Sequence, residues 1–164
     1  MTSTNIDFGD YLALTACAFE WVDSYDRKDW DKLRTCVAPT LRVDFRSLFG
    51  KLWETMPADD FVAMISSPQV IGDRQLQTQH FIGASKWTRT SDTEVTGVHQ
   101  LRVPHQRYTD ETHTAVAVKG HAHGISTNWY KKIDGEWKLA GVCPEVRWTE
   151  YDFDKLFARG EGGA

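Results

Sequence analysis

The chain has 164 residues and a formal charge of −4, from 23 acidic and 19 basic side chains. Hydrophobic residues make up 41% of the sequence and charged residues 26%, which suits a single domain able to bury one core. Seven Trp and eight Phe exclude a disordered chain, because they give ample surface to bury. Frequent charges within the apolar stretches exclude a transmembrane helix, and the acidic balance argues against nucleic acid as a partner.

Three cysteines, Cys17, Cys36 and Cys143, are widely spaced and form no CxxC pair. Their odd number predicts reduced thiols and argues against a structural zinc site. The first residues lack the basic region and apolar run of a secretory signal. We therefore expect a cytoplasmic protein, with endosomal association left open.

The first third of the chain has helical patterns. Between Asp10 and Trp30 the apolar residues follow i, i+3, i+4 spacing, and Asp29 is a suitable N-cap for a second short helix that ends before Pro39. The alternation over 40–46 predicts a strand, and 57–65 predicts a helix with Pro at its first turn. One domain spans 1–164, with flexible ends at 1–9 and 160–164.

The rest of the chain is rich in strand patterns, over 76–88, 94–108 and 114–132, and Asp134-Gly135 indicates a hairpin. Helices followed by long strands predict an α+β fold, in which a curved, antiparallel or mixed sheet wraps around the N-terminal helices as a cone. A cone of this kind encloses a pocket. The apolar spacing of 151–157 predicts a lid over its open end.

Histidines in the strands are the candidate acid–base groups, since their side chains titrate near neutral pH. His80 is as compatible with a structural hydrogen bond as with catalysis. His105 follows Pro104, which predicts a local edge or a bulge in the strand, and bulges often aim side chains into sites. His121 and His123 share one strand face, but no third ligand is identifiable, so we expect a subunit interface there and no metal.

Tyr25 and Asp26 end the first predicted helix. Tyr25 extends its apolar stripe and is equally well a core residue, and Asp26 is equally well a cap for the next helix. The alternative is that Asp26 orients a histidine, as carboxylates do in catalytic sites. Apolar side chains are core residues first and become pocket walls if the cone is hollow; the candidates are Trp21, Phe45, Met64, Val70, Pro144, Phe153 and Phe157.

Long stretches of the chain resemble the scytalone dehydratases, fungal melanin-pathway enzymes of the NTF2-like class with a cone-shaped α+β barrel fold. The resemblance covers about residues 10–160, and the matching stretches are 20–30, 38–42, 78–83, 99–108, 119–123 and 129–135. It implies a cofactor-free loss of water from a reduced hydroxynaphthalenone, and a homotrimer. It further implies that His80 and His105 are catalytic, that Asp26 partners His105, and that Tyr25 holds a water that polarises the carbonyl.

Three positions depart from the family pattern. Phe45 replaces a second water-holding tyrosine, Gly124 replaces a serine that positions a histidine, and Ser126 replaces an asparagine that grips the substrate. We expect a less polar, roomier wall and a changed substrate, such as a larger fused-ring polyketide. Two alternatives stay open: a polyketide cyclase or isomerase that uses the same groups, and a non-catalytic ligand-binding protein. Which histidine is the base is also open.

Overall fold

A computed structural model describes residues 5–157. Its elements, in chain order, are α1 (Phe8–Arg27), α2 (Trp30–Cys36), β1 (Val37–Phe45), α3 (Arg46–Phe49), β2 (Lys51–Pro57), α4 (Ala58–Ile65), β3 (Leu76–Thr78), β4 (Phe81–Ser91), β5 (Glu94–Tyr108), β6 (Val116–Ile133), β7 (Glu136–Tyr151) and a final 3₁₀ turn (Phe153–Lys155). Within the described part of the chain, no helix has the length and apolar character needed to cross a bilayer.

Helix α1 is capped at both ends. The carboxylate of Asp7 accepts a hydrogen bond from the Asp10 amide at 2.8 Å, and the helix ends at Lys28, whose φ of 55° lies in the left-handed region. Asp29 then caps α2, as predicted. Residues 8 and 9, within the segment 1–9 predicted to be flexible, are helical, and the flexibility of both ends stays a prediction; residues 1–4 and 160–164 lie outside the described residues.

The sheet has seven strands in residues 5–157, in the order β2-β1-β7-β6-β5-β3, with β4 also pairing with β5. It is mixed, because β1 runs parallel to β7 and antiparallel to β2. The hairpin at Asp134 and Gly135 is confirmed, with φ of 51° and 84°. The predicted α+β fold with a curved sheet is confirmed, and the core lies between α1 and the sheet.

The chain differs from the prediction around Pro39 and in two short elements, β2 and α3. Pro39 lies inside β1, which begins at Val37, so the proline does not separate the helix from the strand. Strand β2 and helix α3 carried no recognisable pattern, because both are mostly exposed and lack the apolar alternation of a half-buried strand or helix. Helix α3 begins at Arg46, directly after β1, and packs against β7, β1 and β2.

A gap between β3 and β4 positions the first histidine. Strand β5 pairs with β3 as far as Thr78 opposite His105, and with β4 from Phe81 opposite Arg102. Pro104 lies opposite the gap, where its missing N–H breaks no ladder hydrogen bond. Of the two alternatives predicted at this proline, a local edge and a bulge, the structure shows the edge, since β5 and β6 stay in register there. His80, predicted within a strand, lies in the gap.

Candidate active site

Between α1 and the concave face of the sheet lies a cavity of about 240 Å³, whose walls are mostly apolar. The expectation of a hollow cone is therefore confirmed. The predicted wall residues that line it are Trp21, Phe45, Val70, Gly124, Ser126, Pro144, Phe153 and Phe157. Met64 is the exception: it lies on α4 and packs against the core, while the adjacent Ile65 lines the cavity.

Some cavity walls were missed in the sequence. Leu48 and Phe49 belong to α3, which had no predictive pattern. Leu101 and Val103 lie on β5 on the same face as His105, since alternate residues of a strand share a face. Counting back every second residue from His105 along the strand would have identified both Leu101 and Val103.

Asp26 is the centre of a hydrogen-bonded network at the gap between β3 and β4. Its carboxylate accepts from His80 Nδ1 at 2.5 Å and from the His80 backbone amide at 2.7 Å. Thr78 Oγ1 at 2.8 Å and Gln79 Nε2 at 3.2 Å donate to it as well. Four donors fix this carboxylate and, through it, the orientation of the His80 ring, whose Nε2 is left without a partner among the described residues.

The pairing of Asp26 with His105 that the resemblance implied is wrong. His105 Nδ1 donates to the backbone carbonyl of Val103 at 2.8 Å, while the edges of Phe153 and Phe157 pack against its ring. Burial, and then the neighbouring charge of His80, lower the pKa of His105 to about 4. His105 is therefore a neutral imidazole at neutral pH, with Nε2 as its acceptor nitrogen.

Tyr25 and Trp21 stand one helical turn apart on α1 and line the cavity. The Tyr25 ring lies edge-on to both Trp21 and His80, with ring centroids 5.6 Å away in each case. Among the described residues, neither the Tyr25 hydroxyl nor the Trp21 Nε1 has a partner with hydrogen-bond geometry, although the Trp21 side chain lies close enough to the Tyr25 hydroxyl to act on its pKa. Burial raises the pKa of Tyr25, so its hydroxyl stays protonated as a donor. Unpaired buried donors beside a cavity are suited to a ligand oxygen.

The wall formed by β6 and β1 carries the three departures from the family pattern. Phe45 packs edge-on against Phe49, and Ser126 is fully buried. At Gly124 an added Cβ would lie 1.9 Å from the carbonyl oxygen of Glu145. This glycine admits the backbone of β7 rather than a larger ligand, so the expectation of a roomier wall is wrong at this position.

His121 and His123 have a third potential metal ligand beside them, Glu150, which the sequence did not reveal. Glu150 Oε2 lies 3.1 Å from His121 Nδ1 and 2.9 Å from His123 Nε2, in a cluster with metal-ligating chemistry. Arg102 Nη2 also lies 3.3 Å from His121 Nδ1, so a guanidinium already supplies positive charge there. The expectation that this pair binds no metal stays a prediction.

Comparison with known proteins decides the family. The model of the family described as scytalone dehydratase matches residues 5–163. The chain belongs to the scytalone dehydratase family. It is 66% identical to the scytalone dehydratase PfmaJ of Pestalotiopsis fici over 98% of this chain and 84% of that protein. It is 60% identical to the scytalone dehydratase of Pyricularia oryzae over 96% of this chain and 92% of that one.

Among solved structures, the Kfla4162 protein of Kribbella flavida shares the fold, with a TM-score of 0.74 at 19% identity. The match covers 87% of this chain and 93% of that one. The family and the fold expected from the sequence are both confirmed.

Proposed function

We propose that this protein is a cofactor-independent dehydratase that removes water from a reduced, fused-ring aromatic hydroxy ketone of polyketide origin. The observation that carries the proposal is the hydrogen bond between His80 and Asp26 at the wall of an apolar cavity. A carboxylate-backed imidazole beside a water-poor hollow suits proton transfer at carbon. The dehydratase names of the close relatives support the same reaction class.

His80 is the group that moves the proton. Its Nδ1 is committed to Asp26, so Nε2 accepts the proton from the carbon beside the substrate carbonyl, and Asp26 stabilises the imidazolium that forms. The C–H electron pair passes into an enolate. When the carbonyl re-forms, the β carbon–oxygen bond breaks with its electron pair on oxygen. The departing hydroxide takes the proton from His80 and leaves as water, and the resulting enone enolises to an aromatic ring.

Tyr25 stabilises the enolate. Tyr25 lines the cavity with its ring next to His80, and its buried, unpaired hydroxyl donates to the substrate carbonyl oxygen as negative charge develops. The indole N–H of Trp21 is a second unpaired donor on the same helix face. With Phe45 in place of a tyrosine, these α1 donors carry the polarising role.

His105 positions the substrate. Because burial holds it neutral and Val103 fixes its Nδ1 proton, its Nε2 accepts a hydrogen bond from a substrate hydroxyl. Phe153 and Phe157 pack against its ring and separate it from water. A group that binds protons so weakly is a poor base, so we assign the proton transfer to His80, which has the carboxylate partner.

The cavity volume favours a two-ring substrate. About 240 Å³ lies below the ~300–1,000 Å³ of pockets that hold drug-sized ligands. Gly124 adds no space for a third ring, since backbone fills the position of its absent side chain. The volume of this partly open cavity thus supports a scytalone-like bicycle over a hydroxyanthracenone.

A homotrimer is part of the proposal. Trp148 and Tyr151 are exposed on β7, and Trp148 stacks flat on His123 with ring centroids 3.6 Å apart. An exposed aromatic surface of this kind suits a subunit interface. Light scattering at the mass of three chains is the expected result, and a monomeric mass would contradict this part.

The decisive experiment incubates the purified protein with scytalone and, separately, with a reduced three-ring hydroxy ketone. We expect loss of one water in the product mass and growth of aromatic absorbance with the two-ring compound, at a higher kcat/KM than with the three-ring compound. A product of unchanged mass would indicate a cyclase or isomerase. Binding without any product would indicate a ligand-binding protein and overturn the proposal.

A further inference from the structure

A chain of buried polar side chains runs away from the cavity wall along β6 and β5. Ser126 lines the cavity, and its Oγ donates to Asn128 Oδ1 at 2.6 Å. Asn128 Nδ2 donates to the Tyr130 hydroxyl at 3.3 Å, and that hydroxyl lies 2.9 Å from His99 Nε2. His99 Nδ1 lies 2.8 Å from Ser85 Oγ, at an exposed position on β4.

The first four members of this chain are almost completely excluded from solvent, with Asn128 and His99 at 0% exposure. Ser126, Asn128 and Tyr130 alternate on one strand and so share the inward face. Buried polar groups are costly unless each is hydrogen-bonded, and a satisfied network holds its members in one arrangement. The chain therefore determines how Ser126 is oriented.

The donors and acceptors in this chain of side chains determine the direction of its hydrogen bonds. Asn128 Nδ2 donates to the Tyr130 oxygen, so the Tyr130 proton is free to go to His99 Nε2. His99 Nε2 is the one acceptor within reach of this buried O–H among the described residues, so the His99 ring carries its proton on Nδ1 and donates it to Ser85. Burial lowers the pKa of His99 to about 4, so this ring is neutral and carries one proton. Every hydrogen bond thus points from the cavity toward the surface.

We propose that Asn128, Tyr130 and His99 are positioning residues that commit the Ser126 proton to the interior, so that Ser126 offers the cavity a hydrogen-bond acceptor. A ligand then gains a bond at this wall by presenting a hydroxyl, and gains none by presenting a carbonyl or an ether. The inference rests on the proposed function only in taking the cavity as the ligand site. It makes Ser126 the residue that selects a hydroxyl-bearing ring.

The direction of the chain is testable in the unliganded wild-type protein. Nitrogen-15 NMR of the His99 ring should show Nδ1 protonated and Nε2 unprotonated across neutral pH. A proton on Nε2 would reverse the chain and leave Ser126 free to donate into the cavity. That result would overturn the inference without any substitution.

Selectivity is tested by binding matched probes, 1-naphthol against 1-methoxynaphthalene and 2-naphthol against 2-methoxynaphthalene. For the isomer that binds more tightly, the wild-type protein should favour the naphthol about five- to tenfold, as expected for one net hydrogen bond. Ser126→Ala should bring this ratio close to one. Tyr130→Phe should also lower it, because Asn128 then turns and donates to Ser126.

Tyr108→Phe is the matched control, since the Tyr108 hydroxyl accepts from Gln106 and lies outside the chain. It should keep the wild-type ratio. An unchanged ratio in a folded Ser126→Ala protein would overturn the inference even if dehydration is observed. A Ser126-dependent ratio in a protein without dehydratase activity would leave the inference standing and reject only the proposed function.

Discussion

His80 and His105 line the same cavity, yet the protein holds them in opposite ways. His80 lies in an interruption of the sheet and is bound to a carboxylate that accepts four hydrogen bonds. His105 lies on a continuous strand, where its polar partner is a backbone carbonyl and its other neighbours are phenylalanine rings. The polar end stabilises positive charge on an imidazole, and the apolar end opposes it.

This contrast assigns different tasks to two chemically identical side chains. A base that takes a proton from carbon needs a partner for the charge it acquires, which His80 has in Asp26. A group that orients a hydroxyl needs only a fixed lone pair, which a neutral His105 provides. Substitutions at His80 and Asp26 alter the polar end, and a substitution at His105 alters the apolar end, while the charge of His80 also acts on His105.

The largest effect is expected at His80. His80→Gln removes the proton carrier and should lower kcat by about 10²- to 10⁴-fold, the usual contribution of a general acid–base group. Steady-state kinetics measure this loss of kcat, with the substrate for which the product mass shows the loss of one water. His113→Gln is the control, because His113 lies in a loop outside the cavity, where its ring contacts Gln77 and the Arg74 carbonyl. A His80→Gln enzyme that keeps most of the wild-type kcat would reject the base assignment.

Asp26→Asn should have the next largest effect. It keeps the shape of the side chain but removes the charge opposite the imidazole, and we expect kcat to fall about 10- to 100-fold, equivalent to ~1.5–3 kcal/mol for a hydrogen bond to a charged group. Asp23→Asn, one turn earlier and paired at the surface with Arg27, is the matched control. If the two variants have equal kcat, Asp26 serves the fold and not the reaction.

His105→Gln tests the apolar end through stability. The pKa of His105 is about 4 in the folded protein against 6.5 for an unperturbed histidine, so the unfolded chain binds more protons between these values. The stabilisation is complete above about pH 6.5 and is lost as pH falls toward 4, on the order of 1–3 kcal/mol. Denaturant unfolding at pH 7 and pH 4.5 should show a smaller loss in the variant. An equal loss in both proteins would contradict a neutral, buried His105.

The smallest effect is expected from Phe45→Tyr. A phenol at this position returns a polar group to the wall opposite Tyr25 and should raise kcat/KM on scytalone by up to about fivefold, the value of one modest hydrogen bond of ~1 kcal/mol. Phe19→Tyr, at an exposed position of α1 outside the cavity, is the control. A loss of activity would show that the apolar wall itself contributes to binding. Gly124→Ser is unsuitable as a companion change, because its side chain would collide with the Glu145 carbonyl.

Much of the site was predictable from the sequence, and each error in the prediction has a physical cause. Tyr25, His80 and His105 were identified from residue type and resemblance, and the structure places all three on one cavity. The pairing of Asp26 with His105 was wrong, because the histidine that Asp26 reaches depends on where α1 ends relative to the sheet. Met64 was predicted to line the cavity, but the adjacent Ile65 does so, because successive residues of a helix point in different directions.

The sequence by itself determined the α+β class, the order of helices before strands and the residues able to move protons, because apolar spacing and turn chemistry are local properties of the chain. Tertiary structure alone decided which histidine receives the carboxylate. It also decided that backbone fills the space at Gly124 and that His99, 27 positions before Ser126, sets that hydroxyl's direction. These outcomes depend on strand register and on the close approach of distant segments, and spacing along one chain does not encode such distances.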